Sequence, residues 1–264
     1  MNKTKIEWAD ATVNPYVGCT GECGYCYAKR LNDRFHFVAD FHEPQYFPGR
    51  LKEIESKTPK KIFLDSMSDV SDWSVKNSVD ILQAMDRNTQ HVYLLLTKRP
   101  DDADAFFNAQ DIVDYAAKNN TRANQWLGVS ITFKMSLWRL KELKTITLKY
   151  PGRWNGFLSI EPLEENVAPS IDITDLSAVQ WVIIGLETGT RKQRNPNTAQ
   201  WIANIVEKCD AVGIPVFMKD SCTLFHVPLR RDIPKSITDY LDRERRMMDP
   251  RRNHPTGDRP AENQ

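Results

Sequence analysis

A chain of 264 residues with 41% hydrophobic and 27% charged side chains is long enough to bury one sizeable core and has an ordinary globular composition. Its 36 Lys and Arg against 35 Asp and Glu leave a net charge of +1, which excludes neither a nucleic-acid nor a small-molecule partner, because a binding face depends on where charge sits. No apolar run approaches the ~20 residues of a membrane span, and cysteines without a secretory opening segment fit a reducing compartment, so a cytoplasmic protein with no membrane partner is expected.

Residues 5–8 and 11–15 read as a short first strand whose exit is fixed by Pro15. It delivers a loop, residues 18–27, in which Cys19, Cys23 and Cys26 fall within eight residues at C-x3-C-x2-C spacing. Three thiolates converging from irregular backbone can hold three irons of a 4Fe-4S cluster and leave the fourth open to a non-protein ligand. Gly21 and Gly24 are expected to supply the φ > 0 turns that such a loop requires. A structural zinc knuckle completed by His36 or His42 has suitable donor atoms, but the second ligand pair usual in zinc sites does not follow. A disulfide framework fits worse, since the clustered cysteines are odd in number and Cys209 and Cys222 are remote.

After the loop, Tyr27, Leu31 and Phe35 recur at i, i+4 and i+8, predicting a helix over 27–35 with this stripe, Tyr27 included, in the core. Residues 36–59 are aromatic and proline-punctuated, with a short helix expected near 50–54. Apolar runs of strand length then recur at 61–69, 91–100, 126–132, 156–162, 179–189 and 214–220, and each turns polar at its end. Helical stretches lie between them at 75–87, 101–119, 134–149 and 197–212, the last stopped by Gly213. Near-continuous apolar strands alternating with helices imply an α/β fold with parallel strands and outer helices. The length and repeat favour a partial (β/α) barrel over residues 1–228, with a doubly wound open sheet as the alternative. Residues 229–264 are expected to add a surface helix (234–247) and a disordered tail, not a second domain. The stretch 230–252 carries eight Lys or Arg against five Asp or Glu, either a solvated face or a nucleic-acid contact.

In such barrels function gathers at the C-terminal strand ends, so the apolar-to-polar boundaries map a site. They place Ser66, Ser68 and Asp69, then Thr97, Lys98 and Arg99, then Ser130 and Thr132, then Glu161, Gly185, Glu187, Lys219 and Asp220 around the cysteine loop. A carboxylate such as Glu161 at the end of an apolar strand needs a cation or a ligand, and Lys98 or Arg99 are candidate partners. Gly185 and Gly189 would let backbone approach a ligand, while Arg191, Lys192 and Arg194 on the same loop suit an anion.

The pattern C-x3-C-x-aromatic-C, with Tyr25 before Cys26, resembles the signature of the radical S-adenosylmethionine (radical SAM) superfamily. Residues 5–12, 158–163, 182–189 and 216–219, together with the cysteine loop, are also similar to an uncharacterised three-Cys-motif family of phages and bacteria, a likeness covering nearly the whole chain. Two departures stand out: Ser66-Met67-Ser68-Asp69 replaces the superfamily's glycine-glycine-glutamate segment, and Leu186 and Thr188 stand where glycine and serine are expected. The resemblance implies a 4Fe-4S cluster on Cys19, Cys23 and Cys26, with S-adenosyl-L-methionine bound by Ser66, Ser68, Asp69, Lys98, Ser130, Glu161, Gly185, Glu187 and Lys219. It further implies reductive cleavage to a 5′-deoxyadenosyl radical, hydrogen abstraction from a small-molecule or nucleotide substrate such as a modified nucleic-acid base, and a reductant protein. No residue is assigned a catalytic role beyond these. The alternative function is a non-enzymatic zinc- or cluster-containing nucleic-acid-binding protein. Use of the cofactor as methyl donor lacks the extra cysteine pair that would recommend it.

Overall fold

The computed structural model describes residues 2–117, 122–187 and 195–249. The strands are β1 (Asn2–Lys3), β2 (Ala11–Thr12), β3 (Tyr16–Val17), β4 (Gln45–Tyr46), β5 (Lys61–Phe63), β6 (Val92–Thr97), β7 (Gln125–Ser130), β8 (Asn155–Ile160), β9 (Val182–Ile184) and β10 (Val216–Met218). The helices are α1 (Tyr27–Phe35), α2 (Val75–Arg87), α3 (Asp104–Ala117), α4 (Trp138–Lys149), α5 (Thr198–Ala211) and α6 (Lys235–Met247). The sheet runs β1-β2-β5-β6-β7-β8-β9-β10, with β2 and the six strands after it parallel and β1 antiparallel on the edge. Strand order follows chain order without reversal, so the sheet curls one way into a half-barrel and has no switch point of the doubly wound kind.

The opening segment splits differently from expectation. Only Ala11–Thr12 joins the main sheet, beside β5, while Tyr16–Val17 pairs with Gln45–Tyr46 in a separate two-stranded ribbon. The ribbon forms because Pro15 breaks the strand, and the Pro15 carbonyl then accepts the Phe47 N–H at 2.7 Å. The predicted short helix is a 3-10 turn, Pro48–Glu55.

Side chains alternate across the strands, and each face is buried for its own reason. Ile62, Leu95, Leu127, Leu158, Val182 and Val216 point outward into the layer formed by α2 to α5, joining Leu82, Phe106, Leu143 and Ile205. Phe63, Leu94, Trp126, Phe157, Ile183 and Phe217 point inward, where Trp8 and Trp181 complete a second, aromatic-rich cluster. Trp8 lies 4.8 Å from Phe63 between ring centroids, and Trp181 meets Trp126 edge-on at 6.5 Å. Ile237 and Leu241 of α6 pack onto this inner cluster, so the C-terminal helix is part of the barrel's floor as well as of its surface.

Among the described residues of the basic stretch that begins at Arg230, five of the six cations are paired locally. Arg230 pairs with Asp210 and Asp232, Arg231 with Glu7 and Asp220, Lys235 with Asp239, Arg243 with Glu244 and Arg245 with Asp242. The solvated-face reading fits that arrangement. Residues 250–264, expected as a disordered tail, lie outside the described residues. No helix among the described residues is long and apolar enough to cross a membrane.

The stripe Tyr27, Leu31 and Phe35 does not enter the core. All three are exposed, and α1 instead buries Ala28 and Asn32 against a small cluster of Val17, Val38, Phe41 and Met67. Asn32 is held there because its amide group exchanges hydrogen bonds with the Val38 backbone at 3.1 and 3.0 Å. A polar side chain satisfied by backbone thus takes the place that periodicity assigned to apolar ones.

Candidate functional site

The cysteine loop hangs between the end of β5 and residues 41–44. Gly18 donates its N–H to Met67 at 3.0 Å, and Cys19 donates to the Phe41 carbonyl at 2.7 Å. Gly18 carries the left-handed turn (φ 111°), and a Cβ there would lie 2.8 Å from both the Phe41 oxygen and the Pro44 Cα. The turn was expected at Gly21 and Gly24, which do not adopt positive φ. The requirement falls one step earlier, where the chain enters the loop under neighbouring backbone.

A charged clamp fixes the next residue. The Thr20 N–H and hydroxyl donate to Asp72 at 3.1 and 2.6 Å. Arg99 donates to Thr20 Oγ1 at 2.7 Å and to Asp72 Oδ2 at 2.6 Å, and its Nη2 lies 3.8 Å from Cys19 Sγ. Burial alone would raise the Asp72 carboxyl, but the hydrogen bonds from Arg99 and Thr20 outweigh it and hold the group below the usual carboxylate range. At the other end of the loop Cys26 donates to the Cys23 carbonyl at 2.9 Å and caps α1, its Sγ accepting the Lys29 N–H at 3.3 Å. Cys19 Sγ likewise accepts the Gly21 N–H at 3.3 Å.

All three loop cysteines are free and half-buried. Burial pushes the Cys19 thiol up to about 12, opposed by the Gly21 N–H. Cys23 and Cys26 line a cavity of about 540 Å³ together with Lys29, Arg30, His42 and Glu187. Cys19 is not among its lining residues, being turned to Gly21 and Arg99. Among the described residues no three His, Cys, Asp or Glu side chains converge on one point as a metal ion requires. The three thiols are unpaired, and main-chain N–H groups already point at two of the sulfurs. Cys209 and Cys222 lie in the core, each pushed up to about 12 by burial, so neither can complete the set.

Above the aromatic floor, the inward positions of the same strands become polar. Lys98 sits with its ammonium 4.8 Å from the Tyr25 ring. Burial pulls the Lys98 pKa down, yet the nearby Tyr25, the thiols of Cys23 and Cys26, and Asp69 outweigh it and raise the group overall. The Tyr25 hydroxyl and Thr132 Oγ1 share a hydrogen bond at 3.0 Å, which joins the cysteine loop to the end of β7. Glu161 pairs with Lys219, not with Lys98 or Arg99, since parallel register sets the ends of β8, β9 and β10 side by side. Gly185 lies between them, and a Cβ there would sit 2.8 Å from Glu161 Cδ and 2.9 Å from Lys219 Cδ. Glu187 reaches the cavity wall.

Other predicted residues make internal contacts. Ser66 Oγ donates to Asn14 Oδ1 at 3.0 Å, and the Ser66 carbonyl accepts from the Tyr27 hydroxyl. Ser68 accepts the Trp73 indole N–H at 3.1 Å. Asp69 accepts from the Thr97 hydroxyl at 2.6 Å, from the Lys98 N–H at 2.9 Å and from Ser71. Ser130 is buried on β7 with its carbonyl taking Arg139 at 2.9 Å. Asp220 lies at the rim, paired to Arg231. Gly189 and the anion-suited Arg191, Lys192 and Arg194 fall outside the described residues. The sequence reading passed over Thr20, Asp72, Tyr25 as a hydrogen-bonding group, and Asp65, a 2%-exposed carboxyl that takes the Leu96 N–H on both oxygens at 3.1 and 3.2 Å. Asp72 had one signal, its position in the Asp-x-x-Asp turn that follows β5.

Residues 3–248 match the model of a protein family described as being of unknown function, DUF5131. The chain belongs to the DUF5131 family. The match spans the whole half-barrel together with α6, so the cysteine loop, the clamp and the mouth all lie within the family's extent. No curated protein matches the chain.

Proposed function

We propose that this DUF5131 protein is a radical SAM enzyme in which Cys19, Cys23 and Cys26 hold a 4Fe-4S cluster and the polar mouth binds S-adenosylmethionine. The observation that carries this reading is the placement of three free thiols, two already accepting main-chain N–H groups, at the C-terminal ends of parallel strands beside a mixed-charge mouth. When bound, the cluster would supply the electron that cleaves the cofactor to a 5′-deoxyadenosyl radical able to take a hydrogen atom from substrate. The chain's own residues position and shield. Lys98 would offer its ammonium to a carboxylate, and Glu161 with Lys219 would suit the zwitterionic methionine part. The ring-filled floor of Trp126, Phe157 and Trp181 keeps water from the inner side. A nucleotide or a small molecule is the proposed substrate class.

Anaerobic reconstitution with iron and sulfide tests the reading. The expected product is a brown protein with broad absorbance near ~400 nm that releases 5′-deoxyadenosine from S-adenosylmethionine with dithionite. Replacing any one loop cysteine with alanine should abolish that release, whereas Cys209→Ala and Cys222→Ala should not. A colourless protein with stoichiometric zinc would overturn the proposal in favour of a zinc-containing binding module.

A further inference from the structure

The end of β7 and helix α4 after it present a surface that the cysteine loop and the cavity do not use. Phe133, Met135 and Trp138 are 44%, 89% and 38% exposed, three large apolar side chains in water within six residues. A tight turn holds them there. Buried Ser136 accepts the Thr132 and Phe133 N–H groups at 3.0 and 3.2 Å and donates to the Phe133 carbonyl at 2.6 Å. Residues 133–149 carry five cations, Lys134, Arg139, Lys141, Lys144 and Lys149, against the one carboxylate of Glu142, on a chain whose net charge is only +1. Lys144 pairs with Asp175 at 3.3 Å, and Arg139 donates to the Ser130 carbonyl at 2.9 Å. Glu165 spends an oxygen on the Lys134 N–H at 2.7 Å, and Asp172, in the field of Lys144 and Lys141, gives its Oδ1 to Thr174. Lys134, Lys141 and Lys149 make no ion pair among the described residues. At about 100° per residue, Trp138, Lys141, Thr145 and Leu148 follow one another along the solvent side of α4, away from buried Leu140, Leu143 and Ile146.

We propose that this surface binds single-stranded nucleic acid, an unpaired base lying on Phe133 or Trp138 at the rim and the phosphates following the lysines along α4. Its role as substrate rests on the radical SAM reading above; the binding itself involves neither iron nor cofactor. Exposed rings beside unpaired cations meet both needs of a strand, stacking for the base and charge for the phosphate. Lysine is depleted at interfaces between proteins, so a protein partner fits this face less well. A duplex keeps its bases stacked on one another, out of reach of the rings. A free nucleotide is too short, because Lys141 and Lys149 lie eight residues apart, roughly 12 Å along the helix, and no single phosphate meets both. Thr132, next to Phe133, shares a hydrogen bond with the Tyr25 hydroxyl at 3.0 Å, so a base on this platform lies at the edge of the mouth.

Fluorescence anisotropy on the full chain, free of iron and S-adenosylmethionine, tests this with a labelled single strand of about twelve nucleotides and mixed sequence, as DNA and as RNA, against the same sequence as a duplex. The single strand should bind about tenfold or more tighter than the duplex, and its affinity should fall as salt is added. Phe133→Ala/Trp138→Ala should weaken binding about tenfold or more, while Phe133→Tyr/Trp138→Phe, which keeps both rings, should restore it. Lys141→Gln should weaken binding alike for every sequence and flatten the log–log salt slope by roughly 0.7, a readout that still judges the surface if the double alanine variant misfolds. Lys235→Gln on α6 should leave the affinity unchanged. Equal affinity for the duplex, unchanged affinity in a folded double alanine variant, or no strand binding at low salt would overturn the proposal, as would loss of self-association in place of strand binding. A reconstituted protein that binds the strand yet releases no 5′-deoxyadenosine would instead overturn the radical SAM reading and leave this surface standing.

Discussion

The concave side of the half-barrel holds two regions built from the same strands. Toward the strand starts it is packed with Phe63, Trp126, Phe157, Trp181 and Phe217 under α6, while a few residues further along the inward positions are Asp65, Lys98, Ser130, Glu161, Gly185 and Lys219. Phe63, Trp126, Phe157 and Phe217 lie within the paired strands, whereas every one of these polar positions but Ser130 lies one or two residues past a strand end, so backbone pairing and side-chain chemistry change together. The ring-filled half stabilises by removing apolar area from water, at roughly 25 cal/mol per Å². The polar half holds its carboxylates and cations at the cost of desolvating them, and it offsets that cost with specific partners such as Lys219 for Glu161 and Thr97 for Asp69.

The contrast can be broken at several strengths. Phe157→Ala removes a fully buried ring from the floor and should cost about 3–5 kcal/mol in urea unfolding; a loss below ~1 kcal/mol would mean that the floor is loosely packed. Asp72→Asn takes the charge from the clamp and should cost about 2 kcal/mol at neutral pH. Because the folded Asp72 carboxyl lies below its ordinary range, its stabilisation is present above an unfolded pKa near ~4 and is lost as pH falls through the folded value, so wild type and variant should converge in acid. Asp65 has the opposite sign. Burial, with Asp69 close by, holds its carboxyl well above the usual range, so the fold is favoured most when Asp65 is protonated and loses stability as pH rises toward the folded value. Asp65→Asn should therefore be more stable than wild type at pH ~8 and should lose that advantage near pH ~4; a variant less stable than wild type at high pH would show that the charge is compensated. Cys23→Ala should change unfolding by less than ~0.5 kcal/mol while removing iron from the reconstituted protein.

The strands, the helices and the parallel order were legible because apolar runs and helical spacing report burial directly, as in Val92–Thr97 and its neighbour Gln125–Ser130. Spacing also brought the three cysteines to one loop. What it could not report was pairing at the strand ends. Glu161 meets Lys219 through the register of β8, β9 and β10, a long-range fact that no local pattern contains. The stripe of α1 misled for a related reason: periodicity states which residues share a face, and only the tertiary packing of Ala28 and Asn32 states which face is turned inward. Gly18 escaped notice because its turn is demanded by Phe41 and Pro44, which approach from more than twenty residues away.

The sealed floor has a kinetic consequence. Among the described residues, Trp126, Phe157 and Trp181 close the inner end beneath α6, so the doorway to the concave side lies at the strand ends. Whatever sits deepest must enter first and leave last. Two ligands sharing this vestibule would then bind in compulsory order, and an excess of the outer one would trap the inner one in place.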